Sequence, residues 1–272
     1  MEYTGEADQN PEPFFTDADI CRRTNSRKIK REITVNTFFT PDGWLYKSMN
    51  TLVDVFVINI CWLLGVLPGF AIAFLMTAYV PNMLFLIGWL IAGACFGMAT
   101  SAGLGICMKM VKKEEGYVFK GFWRYYRSSA KKSSIFGMLL AGLAYFYYID
   151  LQIYVKSGRP LFLLLAVIVT AVFAYLYFIY VFPLTARYEN SIRQTFKNSL
   201  LFSIRFFPNT ILLTLQLALV VVAFFFVSQI FTLMVLFGPG IMLYTLAMRS
   251  IVVFDKYEAL KKEDEEWEKE HA

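Results

Sequence analysis

Six stretches of this chain, residues 52–76, 83–107, 134–154, 161–184, 210–227 and 230–248, are long, apolar and nearly free of charge. A hydrocarbon core roughly 30 Å thick is crossed by about 20 helical residues. In lipid the backbone must satisfy its own polar groups, which leaves helices and closed barrels as the spanning structures. Runs of this length without polar alternation predict helices. The expected fold class is therefore all-α, a polytopic membrane helix bundle of about six transmembrane helices.

The charges between those runs are distributed unevenly. Of the 26 lysines and arginines, 24 fall in the terminal segments and alternate loops that share one face, and Lys156 and Arg159 alone fall on the other. Lysine and arginine accumulate in cytoplasmic loops, so both termini are expected to be cytoplasmic. Basic clusters beside spans meet anionic lipid headgroups, each residue contributing about 1 kcal/mol near the surface. That accounts for them without nucleic acid, which is not an expected partner. The chain is 57% apolar and 18% aromatic, far from an average soluble domain. No cleavable signal peptide is expected, because the first apolar run begins late and is too long for one. Cys21 lies in the N-terminal segment, and Cys61, Cys95 and Cys107 lie in spans with no C-x-x-C, which makes them packing residues.

Residues 1–37 are polar and basic, with too little apolar content to build a core, and are expected to be disordered. Phe38, Phe39 and Trp44 then bring aromatic residues to a membrane surface. The membrane domain is expected over 38–254 and a charged cytoplasmic tail over 255–272. Two further segments read as interfacial amphipathic helices, 118–132 and 191–207. In the first, Phe119, Phe122, Trp123 and Tyr126 recur at helical spacing among Lys120, Arg124 and Arg127. In the second, Ile192, Phe196, Leu200 and Ile204 alternate with Arg193, Lys197 and Arg205. Both are candidate contacts for lipid or a partner, together with Glu189. The final pair of spans has Ser228-Gln229 as one turn signal, while Gly238-Pro239-Gly240 is either a kink in span six or the turn itself.

Residues able to do chemistry are scarce. His271 is the sole histidine, so neither a Ser-His-Asp triad nor a histidine pair on a metal is available, and no phosphate-binding glycine loop occurs. No enzyme activity, metal or cofactor is expected. Asp54 and Asp150 lie near opposite ends of their spans, where each carboxylate can reach the interface. Asp54, Asn59, Trp62, Thr100 and Ser101 form a candidate intramembrane polar site, with bundle packing as the plainer reading. Gly65/Gly69 and Gly93/Gly97 have the spacing that lets helix backbones approach closely.

Several segments together resemble the YesL family of bacterial membrane proteins, a group of unknown biochemical function. They include Asp54, Asn59-Ile60-Cys61-Trp62-Leu63-Leu64, Leu67-Pro68, Ala99-Thr100-Ser101-Ala102, Lys113-Glu114-Glu115-Gly116-Tyr117-Val118-Phe119 and Phe122-Trp123. Further on come Asp150-Leu151, Ala186-Arg187-Tyr188-Glu189-Asn190-Ser191, Thr195-Phe196-Lys197-Asn198-Ser199-Leu200-Leu201 and Phe254-Asp255-Lys256-Tyr257-Glu258. The stretch 69–96 departs from the family in being longer and more apolar. The resemblance implies genes that often neighbour carbohydrate ABC importers, and it carries over no catalytic residue. Glu189 and Pro208 are spaced like the ends of the coupling loop of importer permeases, but Phe196 stands where that loop has its glycine.

The expected function is that of a non-enzymatic accessory component of carbohydrate uptake in the cell membrane. Its partners would be the lipid bilayer and sugar ABC importer subunits or a membrane sensor kinase. The rival is an autonomous permease for a neutral solute such as a sugar, with Asn59, Trp62, Thr100, Ser101 and Tyr180 lining a cavity at mid-membrane.

Overall fold

The computed structural model describes residues 44–79, 83–114, 117–157, 161–226 and 231–271. Residues 53–272 form one compact unit; of residues 1–52 the described part is the opening of the first helix. Every element among the described residues is a helix: α1 (Trp44–Tyr79), α2 (Met83–Val111), α3 (Val118–Ser128), α4 (Ala130–Ser157), α5 (Leu161–Phe178), α6 (Val181–Arg187), α7 (Ile192–Arg205), α8 (Phe207–Phe226) and α9 (Phe231–His271). The basic segment 1–37, the aromatic stretch 38–43 and the Ser228-Gln229 turn lie outside the described residues.

Five helical stretches among the described residues are long and apolar enough to cross a membrane, six if the bent pair α7–α8 is counted as one span. Their outward side chains are apolar: Leu67 and Phe74 on α1, Phe146 and Val155 on α4, Val169 and Phe173 on α5, Leu215 and Leu219 on α8. Water would not tolerate so much exposed hydrocarbon, whereas a bilayer matches it. This is a multi-pass membrane protein.

Helix α2 occupies the centre, packed by α4, α9, α3 and α6. Its small residues make that possible. A Cβ at Gly97 would land on the Ser133 carbonyl, and one at Gly137 on the Gly93 carbonyl, so α2 and α4 touch backbone to backbone. Gly69 serves the same purpose between α1 and α2, where a Cβ would come within 2.9 Å of the Ala92 Cα. Both glycine pairs singled out in the sequence are thus helix contacts.

Prolines set the breaks. The fourth apolar run, expected as one helix over 161–184, is interrupted at Ile179-Tyr180. Pro183 has no N–H for the Ile179 carbonyl, and its ring crowds that group, so α5 stops and α6 starts with Pro183 in its first turn. Pro208 acts likewise at the start of α8, where the chain bends by 97° from α7. Thr210 Oγ1 donates toward the Ser203 and Phe206 carbonyls at that corner, at 3.1 and 3.2 Å. Ser191 opens α7, its hydroxyl accepting the Gln194 N–H at 3.3 Å.

Gly238-Pro239-Gly240, by contrast, is helical and lies inside α9. The turn reading is excluded for these residues. Pro239 leaves the Val235 carbonyl without its helical donor. Asn59 of α1 supplies one: its Nδ2 donates to Val235 O at 3.2 Å, while the Gly240 N–H donates to Asn59 Oδ1 at 2.9 Å. A Cβ at Gly240 would approach the Val55 carbonyl to 2.6 Å, so glycine allows the contact.

Candidate functional site

Among the described residues the intramembrane polar side chains serve several helix contacts, and Trp62 and Thr100 are brought together. Asn59 is fully buried, with both ends of its amide engaged on α9. Trp62 donates its indole N–H to Thr100 Oγ1 at 3.3 Å and meets Phe96 edge-on. Ser101 is fully buried in α2, its hydroxyl lacking a hydrogen-bond partner among the described residues. Asp54 is half-buried on α1 and makes contacts of its own. Tyr180, at the α5–α6 break, is buried beneath α8, where Asn209 Nδ2 donates to its hydroxyl at 3.3 Å. Asp150 instead lines a cleft of about 330 Å³ between α4 and α5, with Phe146, Tyr154 and Thr170.

The two amphipathic segments are helices, and each divides its residues between core and exterior. On α3, Phe122 is fully buried, which corrects its expected place among the contact residues: it packs against Trp123 and Tyr126 beneath the helix. Gly121 is buried beside it because Ile106 fills the space a Cβ would need. Tyr126 is half-buried, donates to the Gly65 carbonyl at 3.1 Å, and has its phenol pushed up to about 12 by burial and by the neighbouring Cys95. Phe119, Lys120, Arg124 and Arg127 face outward, with Trp123 between. On α7, Phe196 is drawn inward by rings of Phe136, Tyr177 and Phe178. Ser203 donates to the Leu176 carbonyl at 2.6 Å and Ser199 to the Tyr177 carbonyl, fixing α7 on α5. Arg193, Lys197, Leu201 and Ile204 remain outside, and Glu189 is exposed just ahead of the helix.

Among the described residues an ionic cluster joins positions that the sequence separates by about seventy residues. At the end of α6, Arg187 Nη2 donates to Asp255 Oδ1 and Glu258 Oε1 of α9, at 2.9 Å each. Tyr188 donates its hydroxyl to Glu258 Oε1 at 2.6 Å. Lys112, just past α2, reaches Asp255 at 3.4 Å. The guanidinium also lies over the Tyr188 and Phe254 rings, 5.6 and 5.4 Å from their centroids. Its Nη1 is buried without a hydrogen-bond partner among the described residues. Burial, and then the bond to the Glu258 carboxylate, push the Tyr188 phenol up while Arg187 pulls it back. The cluster ties α2, α6 and α9 together where all three pass from apolar to charged sequence.

No motif or spacing in the sequence points to this cluster as a site. Its two halves were nonetheless both among the segments that carried the family resemblance, Ala186-Arg187-Tyr188 and Phe254-Asp255-Lys256-Tyr257-Glu258. Their shared membership was the available signal. Among the described residues no group of three or more His, Cys, Asp or Glu side chains is placed to hold a metal.

Comparison with known proteins agrees with the resemblance. Residues 55–151, from α1 into α4, match a family model described as "Protein of unknown function, DUF624". The chain is 29% identical over 169 residues to the uncharacterized protein YteU of Bacillus subtilis (strain 168), covering 60% of this chain and 74% of that one. No solved structure matches.

Proposed function

We propose that this membrane protein, similar to the DUF624 family over residues 55–151 and to YteU, is a non-enzymatic accessory component of carbohydrate uptake. In this reading both termini are cytoplasmic, and α3 and α7 lie at the inner surface. Their outward residues, Phe119, Lys120, Arg124 and Arg127 on α3 and Arg193, Lys197, Leu201 and Ile204 on α7, meet an importer subunit or a membrane sensor kinase. The observation that carries the reading is the division of each helix into an anchored and a free face. Phe122, Tyr126, Phe196, Ser199 and Ser203 fix the helices to the bundle, which leaves a preformed basic and apolar surface. Rigid presentation lowers the ordering cost of docking.

The rival permease reading has less support. Asn59, Trp62, Thr100 and Tyr180, the side chains suited to a solute path, are engaged in contacts between helices. The gene neighbourhood implied by the YesL resemblance also favours a role beside an importer.

Co-purification tests the proposal. The tagged full chain is solubilised gently from native membranes, and its stoichiometric companions are identified by mass spectrometry. Importer subunits or a sensor kinase should be recovered with the unaltered protein and lost on combining Arg124→Glu and Arg127→Glu with Arg193→Glu and Lys197→Glu. Recovery of the protein alone, from membranes that contain the importer, would contradict the accessory role.

A further inference from the structure

Beside the Arg187 cluster, the ends of α2 and α6 and one face of α3 enclose an open cavity of about 200 Å³. Lys109, Lys112 and Arg187 line it, with Tyr125, Gly105 and Glu114 among the remaining wall residues. Nothing in the family description or in the accessory reading assigns it a purpose. We propose that this cavity binds a phosphate group, carried either by an anionic lipid headgroup or by a soluble phosphorylated compound. The inference does not depend on the accessory role.

Charge and geometry point the same way. Three cations face one lining carboxylate, that of Glu114. Asp255 and Glu258 are not among the lining residues, yet they hold Lys112 and Arg187 in position. Arg187 spends Nη2 on those carboxylates and is steadied by two aromatic rings, while its buried Nη1 has no hydrogen-bond partner among the described residues. Held in this way, the guanidinium stands at the cavity wall as a fixed positive charge. Lys109 lies over the Tyr125 ring, its Nζ 5.5 Å from the centroid, which places a second donor at the wall.

The backbone also accommodates an anion. A helix C-terminus ordinarily presents carbonyls that repel one. At the end of α2, however, Glu114 N–H donates to Lys109 O and Lys113 N–H to Met110 O, both at 3.0 Å. Lys113 takes the left-handed conformation, φ 57°, that this helix-terminating motif requires. Those carbonyls are thereby satisfied. Gly105 leaves room for Tyr125, because a Cβ there would come within 2.9 Å of its ring. Finally, the cavity opens where α2, α6 and α9 leave apolar sequence, the level at which headgroup phosphates lie.

The test uses the purified full chain, with Lys109→Gln as the variant, since Lys109 is exposed and holds no ion pair among those described. Lys120→Gln, exposed on α3 outside the cavity, is the control. Inorganic phosphate is titrated in lipid-free detergent, and retention of phosphatidylglycerol against phosphatidylcholine is read by native mass spectrometry from mixed micelles. Saturable binding of phosphate indicates a soluble ligand. Selective retention of one phosphatidylglycerol without a phosphate response indicates a lipid. Either supports the site, provided Lys109→Gln weakens it by about tenfold, the loss expected for one charge-assisted hydrogen bond, and Lys120→Gln does not. Should Lys109→Gln melt lower by itself, Lys109→Arg must restore both stability and binding. Absence of both responses in the unaltered protein, or an undiminished response in Lys109→Gln, overturns the proposal.

Discussion

Asn59 bonds two backbone groups beside Pro239, about 180 positions away, one of them the Val235 carbonyl that the proline strands, and a side chain with a primary amide is needed to do so. It must donate to the Val235 carbonyl and accept from the Gly240 N–H at once. Leucine has nearly the same volume and neither function. Asn59→Leu is therefore expected to cost about 2 kcal/mol or more, because each stranded buried group costs about 1–3 kcal/mol. The cause can be isolated by adding Pro239→Ala, which returns an N–H to residue 239 and lets α9 satisfy Val235 itself. In that background Asn59→Leu should cost measurably less, by at least about 0.5 kcal/mol, the usual threshold for coupled sites. Unfolding of the four proteins in detergent gives the comparison. Strict additivity would mean that Asn59 stabilises the bundle by some route other than the proline. The sequence showed Asn59 as a residue suited to bonding between helices, and that much was legible. Its acceptor was not, since periodicity says nothing about which of several spans lies alongside.

At the scale of elements, the tightest contact is the glycine seam between α2 and α4. A Cβ added at Gly137 has no free volume, because the Gly93 carbonyl lies where it would go and the Gly97 Cα is 3.0 Å away. Gly142 lies on the same helix, with only a Leu90 methyl at 3.7 Å in the way. Gly137→Ala should then destabilise by about 1–3 kcal/mol, as overpacking does, while Gly142→Ala should be neutral or slightly favourable through its better helix propensity. Melting curves of the two variants side by side decide the matter; equal curves would show that the helices separate at little cost. Hydropathy located the helices because burial in lipid demands continuous apolar runs, and the first three expected spans agree with α1, α2 and α4. The fourth also stands as one apolar stretch, Leu164–Arg187, and its internal α5–α6 break escapes hydropathy because Tyr180 and Pro183 are apolar enough to pass a hydropathy window, although Pro183 carries the signal. At Pro239 the same residue type left the helix unbroken. The difference is Asn59, a tertiary partner that no local reading supplies. The Arg187 cluster stayed hidden for a related reason: charges at span ends are expected to reach water, and only the fold shows Arg187 and Tyr188 reaching Asp255 and Glu258.

For the whole molecule, orientation is set by where the basic residues gather. Lys109, Lys112, Lys120, Arg124, Arg187 and Lys256 all belong to one end of the bundle, whereas Lys156 stands at the far end of α4. With 28 residues, α4 is about 42 Å long at 1.5 Å per residue, more than the roughly 30 Å of hydrocarbon it must cross. Its two ends therefore lie on opposite sides. The orientation proposed above, drawn from the lysine and arginine excess, puts the crowded end in the cytoplasm. Single cysteines report this directly, because Cys61 and Cys107 are buried and Cys21 and the half-buried Cys95 can be replaced by serine. In intact cells a membrane-impermeant maleimide should label Lys156→Cys at once. Lys120→Cys, on the exposed face of α3, should react only after the membrane is opened. The opposite pattern would place α3, α7 and the basic cavity outside. They could then meet neither the cytoplasmic subunit of an importer nor the anionic inner leaflet, so one labelling experiment bears on the orientation and on the partners available to every surface described above.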